Sequence, residues 1–131
     1  MRALVVDASA LGALVFGEPQ AEDVSRALTD ATLVAPPLLW FEMAAVATKK
    51  IRCHPELAAE IQTAFSLAFR LPIAIRDVNY EETVNLALER DLTTYDASYL
   101  WLADHLGAQL VTLDAKLGKI AKKKKGEKRH N

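Results

Sequence analysis

The sequence has a single cysteine, Cys53, among its 131 residues. It can close no internal disulfide and supplies no thiolate cluster for a metal, which suits a reducing cytoplasm. Its three histidines, His54, His105 and His130, are scattered and match no metal-binding spacing. Long apolar stretches are missing too. The longest run, LVVDASALGALVF, is broken by a charge and is too short to span a bilayer. MRALVVDAS lacks the small-residue cleavage site of a secretory leader. No internal repeat is visible, and no Ser, Cys or His stands in a nucleophile–base constellation.

What is present is a hydrophobic chain, 51% apolar, long enough for one domain and too short for two. The net charge of −1 conceals a split. Residues 1–116 carry nine basic against sixteen acidic residues, and residues 117–131 carry seven basic against one acidic. An acidic body is a poor general attractant for nucleic acid. It suits a protein that meets phosphate through cations. The domain is expected over residues 1–121, with 122–131 a basic, disordered tail.

ALVV (3–6), TLVAP (32–36), PIAI (72–75) and QLVTL (109–113) read as short buried strands. Between them lie helical segments at 9–17, from Pro19 to about Leu28, at 38–51, from Pro55 to Arg70, at 79–90 and at 96–106, with Ser9 near the first N-cap. Gly107 ends the helix before the last strand, and a final short helix starts near Ala115. Strands alternating with amphipathic helices imply a three-layer α/β/α sandwich around a central parallel sheet.

Most acidic residues keep polar company. Asp7, Glu42, Asp96 and Asp114 do not. They sit against ALVV, LLWF, ASYLWLA and QLVTL. An ionised carboxylate among apolar neighbours needs a cation, a hydrogen-bond network or a raised pKa. Asp7 and Asp114 end strands, Glu42 lies near the start of the helix after the second strand, and Asp96 opens the helix that returns to the last one. All four can converge on the carboxyl edge of the sheet, where open parallel sheets bind ligands. Their repulsion would make such a cluster unstable without cations. Oxygen-only ligation suits Mg²⁺ or Mn²⁺ rather than Zn²⁺. Two such ions can activate a water and stabilise the leaving oxygen of a phosphodiester. Ser9 and Thr112 flank two of the acids as supporting polar groups.

Singly, each acid has a plainer reading. Asp7 and Asp96 serve as helix N-caps, Asp114 as a turn residue and Glu42 as an ion-pair member. Trp40 and Trp101 belong to the core or an interface.

VVDASAL, PPLLWFEMA and LTTYDASYLWLADHLGAQLVTLD followed by KL resemble the PIN-domain family, and within it the VapC-type toxins. The resemblance runs from Met1 to about Ala121. It implies a Mg²⁺- or Mn²⁺-dependent endoribonuclease in the cytoplasm, a homodimer, held inactive by an antitoxin that inserts a basic side chain into the acidic groove. By the same resemblance Asp7, Glu42, Asp96 and Asp114 are the catalytic metal ligands, with Thr112 and Thr93 in supporting positions. One departure is Ala45, where the family often carries an Asn that orients the glutamate. The rival readings are a catalytically silent PIN-fold RNA-binding or scaffold module, and a phosphoacceptor domain using Asp7. The latter lacks its second acidic pair and its strand-end lysine.

Overall fold

The computed structural model describes the backbone from Arg2 to His130 and the side chains from Arg2 to Lys123. In chain order the elements are β1 (Arg2–Val6), α1 (Ala8–Val15), α2 (Ala21–Ala27), β2 (Ala31–Ala35), α3 (Leu38–Cys53), a 3₁₀ turn (Pro55–Leu57), α4 (Ala58–Ala68), β3 (Ile73–Ile75), α5 (Tyr80–Arg90), α6 (Thr94–Leu106), β4 (Gln109–Val111) and α7 (Ala115–His130).

The strands form one parallel sheet in the order β3-β2-β1-β4. β1 lies centrally because its residues are the most apolar: Leu4, Val5 and Val6 are almost fully buried. Arg2 pairs with Ala31 and Leu4 with Leu33 on one side, and Val6 pairs with Val111 on the other. This register brings the carboxyl ends of β1 and β4 level. Asp7 N donates to the Val111 carbonyl at 3.2 Å, so the chain leaves β1 beside the end of β4.

α1 packs with α2, α3 and α4, while α5 pairs with α6, and α6 lies on β1 and β4. This is the three-layer α/β/α arrangement expected from the alternation of strands and helices. Leu11, Leu39, Met43, Tyr99 and Leu102 fill the main core. Burying each such side chain contributes on the order of 1.5–3 kcal/mol. A smaller cluster of Leu86, Leu100 and Leu117 fastens α5, α6 and α7 together.

Local signals account for the helix ends, though several differ from the sequence reading; α6 starts at Thr94 with Thr93 as its N-cap, so Asp96 neither opens nor caps it. The N-cap of α1 is Asp7, not Ser9. α2 starts two residues beyond Pro19, after a turn closed by Ala21 N donating to the Glu18 carbonyl. The segment from Pro55 opens as a 3₁₀ turn before α4 takes over. The last helix is not short, since α7 is 16 residues long. Its backbone takes in most of the segment read as a tail, whose side chains beyond Lys123 lie outside the described residues. Gly107 closes α6 in the left-handed region at φ 62°, where a side chain would be strained. Among the described residues no helix is long and apolar enough to cross a membrane.

Candidate active site

Four separate segments deliver the four acids to one end of the sheet. Asp7 follows β1 and is 5% exposed. An ionisable group that deep must be satisfied, and it is. Its Oδ1 accepts from Ser9 Oγ at 2.7 Å and from Ala10 N at 3.0 Å, while its Oδ2 accepts from Thr112 Oγ1. Asp7 is therefore both helix cap and site residue, and the plain reading and the chemical one hold together. Ser9 and Thr112 approach each other at 3.3 Å. Each also takes a backbone N–H from the β4–α7 turn, Leu113 N to Ser9 Oγ at 2.9 Å and Asp114 N to Thr112 Oγ1 at 3.0 Å. The two hydroxyls thus tie the turn that carries Asp114 to the carboxylate of Asp7.

Asp114 caps α7, its Oδ1 accepting from Leu117 N at 2.8 Å, and it is exposed. Asp96 lies in the first turn of α6, whose N-cap is Thr93; the Thr93 hydroxyl accepts from Asp96 N at 3.1 Å. Glu42 stands on the first turns of α3, half-buried. Its Oε1 accepts from the Tyr99 hydroxyl at 2.6 Å.

Electrostatics link the acids. Burial raises the pKa of Glu42 above the usual carboxyl range, the Tyr99 hydrogen bond opposes the shift, and the charges of Asp96 and Asp7 add to it. For Asp96 burial again raises the pKa most, followed by Asp114 and Asp7, against a lowering by Lys116 and the Thr93 hydrogen bond. Asp7 and Asp96 therefore stand between Glu42 and Asp114 in the chain of interactions. Of burial and repulsion, both of which the sequence reading invoked, desolvation comes first because Glu42 and Asp96 lie against the packed ends of α3 and α6.

Tyr99 was missed in the sequence. It is 1% exposed, and burial together with Glu42 pushes its phenol far above its ordinary range. The hydroxyl therefore stays a donor. Its signal was present: a tyrosine three residues after Asp96 shares that helix face, and a buried phenol needs a partner. Ala45 is exposed and has only a methyl group to offer Glu42, so the hydroxyl of Tyr99 holds the carboxylate instead.

The donor set is all oxygen. Among the described residues no three carboxylate, imidazole or thiol groups close into a ready-made cation cage. An all-oxygen donor set suits a hard cation such as Mg²⁺ or Mn²⁺, which takes one or two carboxylates directly and keeps several waters. Zinc, with its preference for enclosed nitrogen and sulfur ligands, does not fit.

A family model described as the PIN domain matches residues 4–123. Ribonuclease VapC3 of Pyrobaculum aerophilum is 34% identical over 119 residues, 87% of this chain and 91% of the relative. The crystal structure of PAE2754 from the same organism superposes with a TM-score of 0.75 at 26% identity, covering 91% of this chain and 84% of its own. That of Mycobacterium tuberculosis VapC20, a toxin cleaving the sarcin–ricin loop, gives 0.65 at 17% identity, covering 88% and 93%, and supports the fold.

Proposed function

This chain belongs to the PIN-domain family, and from that premise we propose that it is a Mg²⁺- or Mn²⁺-dependent endoribonuclease, the toxin of a toxin–antitoxin pair. The observation that carries the reading is the meeting of four carboxylates from four segments, partnered by hydroxyl and amide donors. The relative named Ribonuclease VapC3 supports it.

Asp7, Glu42, Asp96 and Asp114 would hold the cations. When bound, these supply Lewis-acid activation of water and neutralise the charge that develops on the phosphate and the leaving oxygen. The protein supplies position. Asp7 is locked by three donors and cannot swing away, so it fixes the depth of the site. Tyr99 occupies one oxygen of Glu42 and leaves the other free of that bond. Thr93 sets the first turn of α6, and through it the direction of the Asp96 carboxylate. Ser9 and Thr112 hold the Asp114 turn at a fixed distance from Asp7. Such preorganisation keeps reacting atoms in register at no cost during the reaction.

The same carboxylates would receive a cationic side chain from an antitoxin. An arginine fits best, because its planar fork pairs bidentately with carboxylate. Phe41, 82% exposed on α3 beside Glu42, and Phe69, 53% exposed at the end of α4, are apolar surface for a partner subunit or antitoxin to cover. A homodimer is the assembly this reading expects.

The decisive experiment is incubation of partner-free protein with total RNA in Mg²⁺, in Mn²⁺ and in EDTA, followed by sequencing of the new RNA ends. Discrete ends that vanish with EDTA are the expected result, and cleavage undiminished by EDTA would overturn the mechanism. Growth arrest on expression of the chain alone, relieved by its genomic neighbour, checks the toxin role.

A further inference from the structure

The acidic body has to hold a polyanion. Among the described residues α7 carries a run of exposed lysines that begins beside the carboxylates, whereas the basic residues of α3 lie at its C-terminal end, away from Glu42. α7 starts at Asp114, inside the carboxylate centre. Leu117 is fully buried and, with Ile120 and Ala121, packs against α5 and α6. A helix advances 100° per residue, so Lys116, Lys119 and Lys123 fall together on the opposite side, with Lys122 at the edge of that face beside Asp104 and Gln109. All four are exposed. The stripe begins where the chemistry is: Lys116 donates to the Asp91 carbonyl at 2.8 Å across the α5–α6 turn, and its charge reaches Asp96. From Lys116 to Lys123 the stripe climbs about 10 Å along the helix axis. Lys124, Lys125, Lys128 and Arg129 continue the basic sequence beyond it.

We propose that this lysine face of α7 is the track on which the RNA phosphate backbone lies as it leaves the carboxylate centre. The inference rests on the nuclease reading for its partner, and it adds the surface and the charge that hold the strand. Lysine supplies a mobile point charge without base preference, so the track contributes affinity and register while the sequence to be cut is selected elsewhere. An acidic protein segment would also be attracted to such a face, but it gains nothing from a stripe that starts between Asp96 and Asp114, where its own charge is repelled. A phosphodiester chain gains cation-assisted contact at that end.

The test is binding of a fluorescent single-stranded oligoribonucleotide to the full chain in EDTA, over a range of KCl concentrations. The comparison is between wild type, Lys119→Ala/Lys122→Ala/Lys123→Ala and the matching triple arginine variant. Each phosphate contact adds about 0.7 to the slope of log affinity against log salt for a single strand, so the alanine variant should lose about 2 from that slope. The arginine variant should keep it. The rise in melting temperature with Mn²⁺ should match wild type in both, because none of the three lysines touches the carboxylates. Equal slopes in wild type and the alanine variant would overturn the track, as would retention of RNA affinity with loss of affinity for an acidic peptide. Binding is read without divalent metal and so does not depend on cleavage. A chain that binds RNA through the stripe yet cuts nothing keeps the track and sinks the nuclease reading. A chain that cuts RNA with an unaltered slope does the reverse.

Discussion

Two regions of this molecule gather acidic side chains, and they sit at opposite ends of α6. At its N-terminal end Asp96 meets Asp7, Glu42 and Asp114. Toward its C-terminal end Asp104 joins Glu82 and Glu89 of α5 around a cleft of about 340 Å³ that also holds Trp101 and His105. The second group comes from two consecutive helices, with Glu82 and Glu89 exposed. Glu82 takes the Trp101 indole N–H at 2.8 Å, and Trp101 stacks on His105, so that carboxylate has a structural occupation. The first group comes from four segments far apart in the chain, with Asp7 fully enclosed and Glu42 and Asp96 pushed toward protonation by burial. Acidic residues that a helix happens to present cost nothing in water. Acidic residues brought together from a distance and desolvated do cost free energy, and a fold that maintains them has a use for them.

The sharpest way to break this contrast is to neutralise one acid in each region. Asp96→Asn or Asp7→Asn should lower RNA cleavage by orders of magnitude, because a cation site of this kind fails as a unit. Glu82→Gln should leave the rate within about twofold, since a surface carboxylate far from the chemistry adds little. Initial rates on one RNA substrate decide it. Equal losses in the two regions would erase the distinction.

Next come the two hydrogen bonds from ring donors. Tyr99→Phe keeps the ring and removes the donor to Glu42, so Mn²⁺ affinity measured by calorimetry should fall about tenfold. On a Glu42→Gln background the same change should add nothing, which separates a positioning role from a general loss of packing. Trp101→Phe removes the donor to Glu82 and should leave Mn²⁺ affinity unchanged.

A third measurement follows stability with pH. The folded-state pKa values of Glu42 and Asp96 lie above their unfolded ones, so the folded chain retains protons that the unfolded chain releases. Their contribution is therefore fully present below the ordinary carboxyl range and is lost as pH rises through the raised values. Metal-free protein should become more stable to urea as pH drops from 7 toward that range. Glu42→Gln should flatten the trend, and its amide oxygen can still accept from Tyr99. Glu82→Gln should leave the trend as it is. Mn²⁺ at pH 7 should raise the melting temperature by mass action.

The smallest effect compares two N-caps. Thr93 caps α6 at the carboxylate end, and Asn79 caps α5, its side chain accepting from Glu82 N at 2.9 Å. Replacing either by Ala should cost about 1 kcal/mol of stability. Only Thr93→Ala should also slow cleavage, because it alone orients a site carboxylate.

Much of this was legible in the chain. Alternation of β-branched runs with amphipathic segments gave the parallel sheet, and apolar neighbours singled out Asp7, Glu42 and Asp96, which the fold desolvates, whereas Asp114, with equally apolar neighbours, stays exposed at the start of α7. The lysines from residue 122 were legible only as a basic tail, not as part of a helix that begins at the site. Helix ends were less legible: Asp7 and Ser9 both have capping side chains, and only the turn geometry selects between them. Tyr99 could be seen to need a partner, yet Glu42, 57 residues away, could be assigned to it only once α3 and α6 were packed. The same holds for Thr112 and Asp7, which lie 105 residues apart. Local sequence fixes periodicity and caps, since those depend on near neighbours. The pairing of a buried donor with its acceptor depends on strand register and helix docking, which are set by the packing of the whole core, so the tertiary structure alone decided which hydroxyl holds which carboxylate.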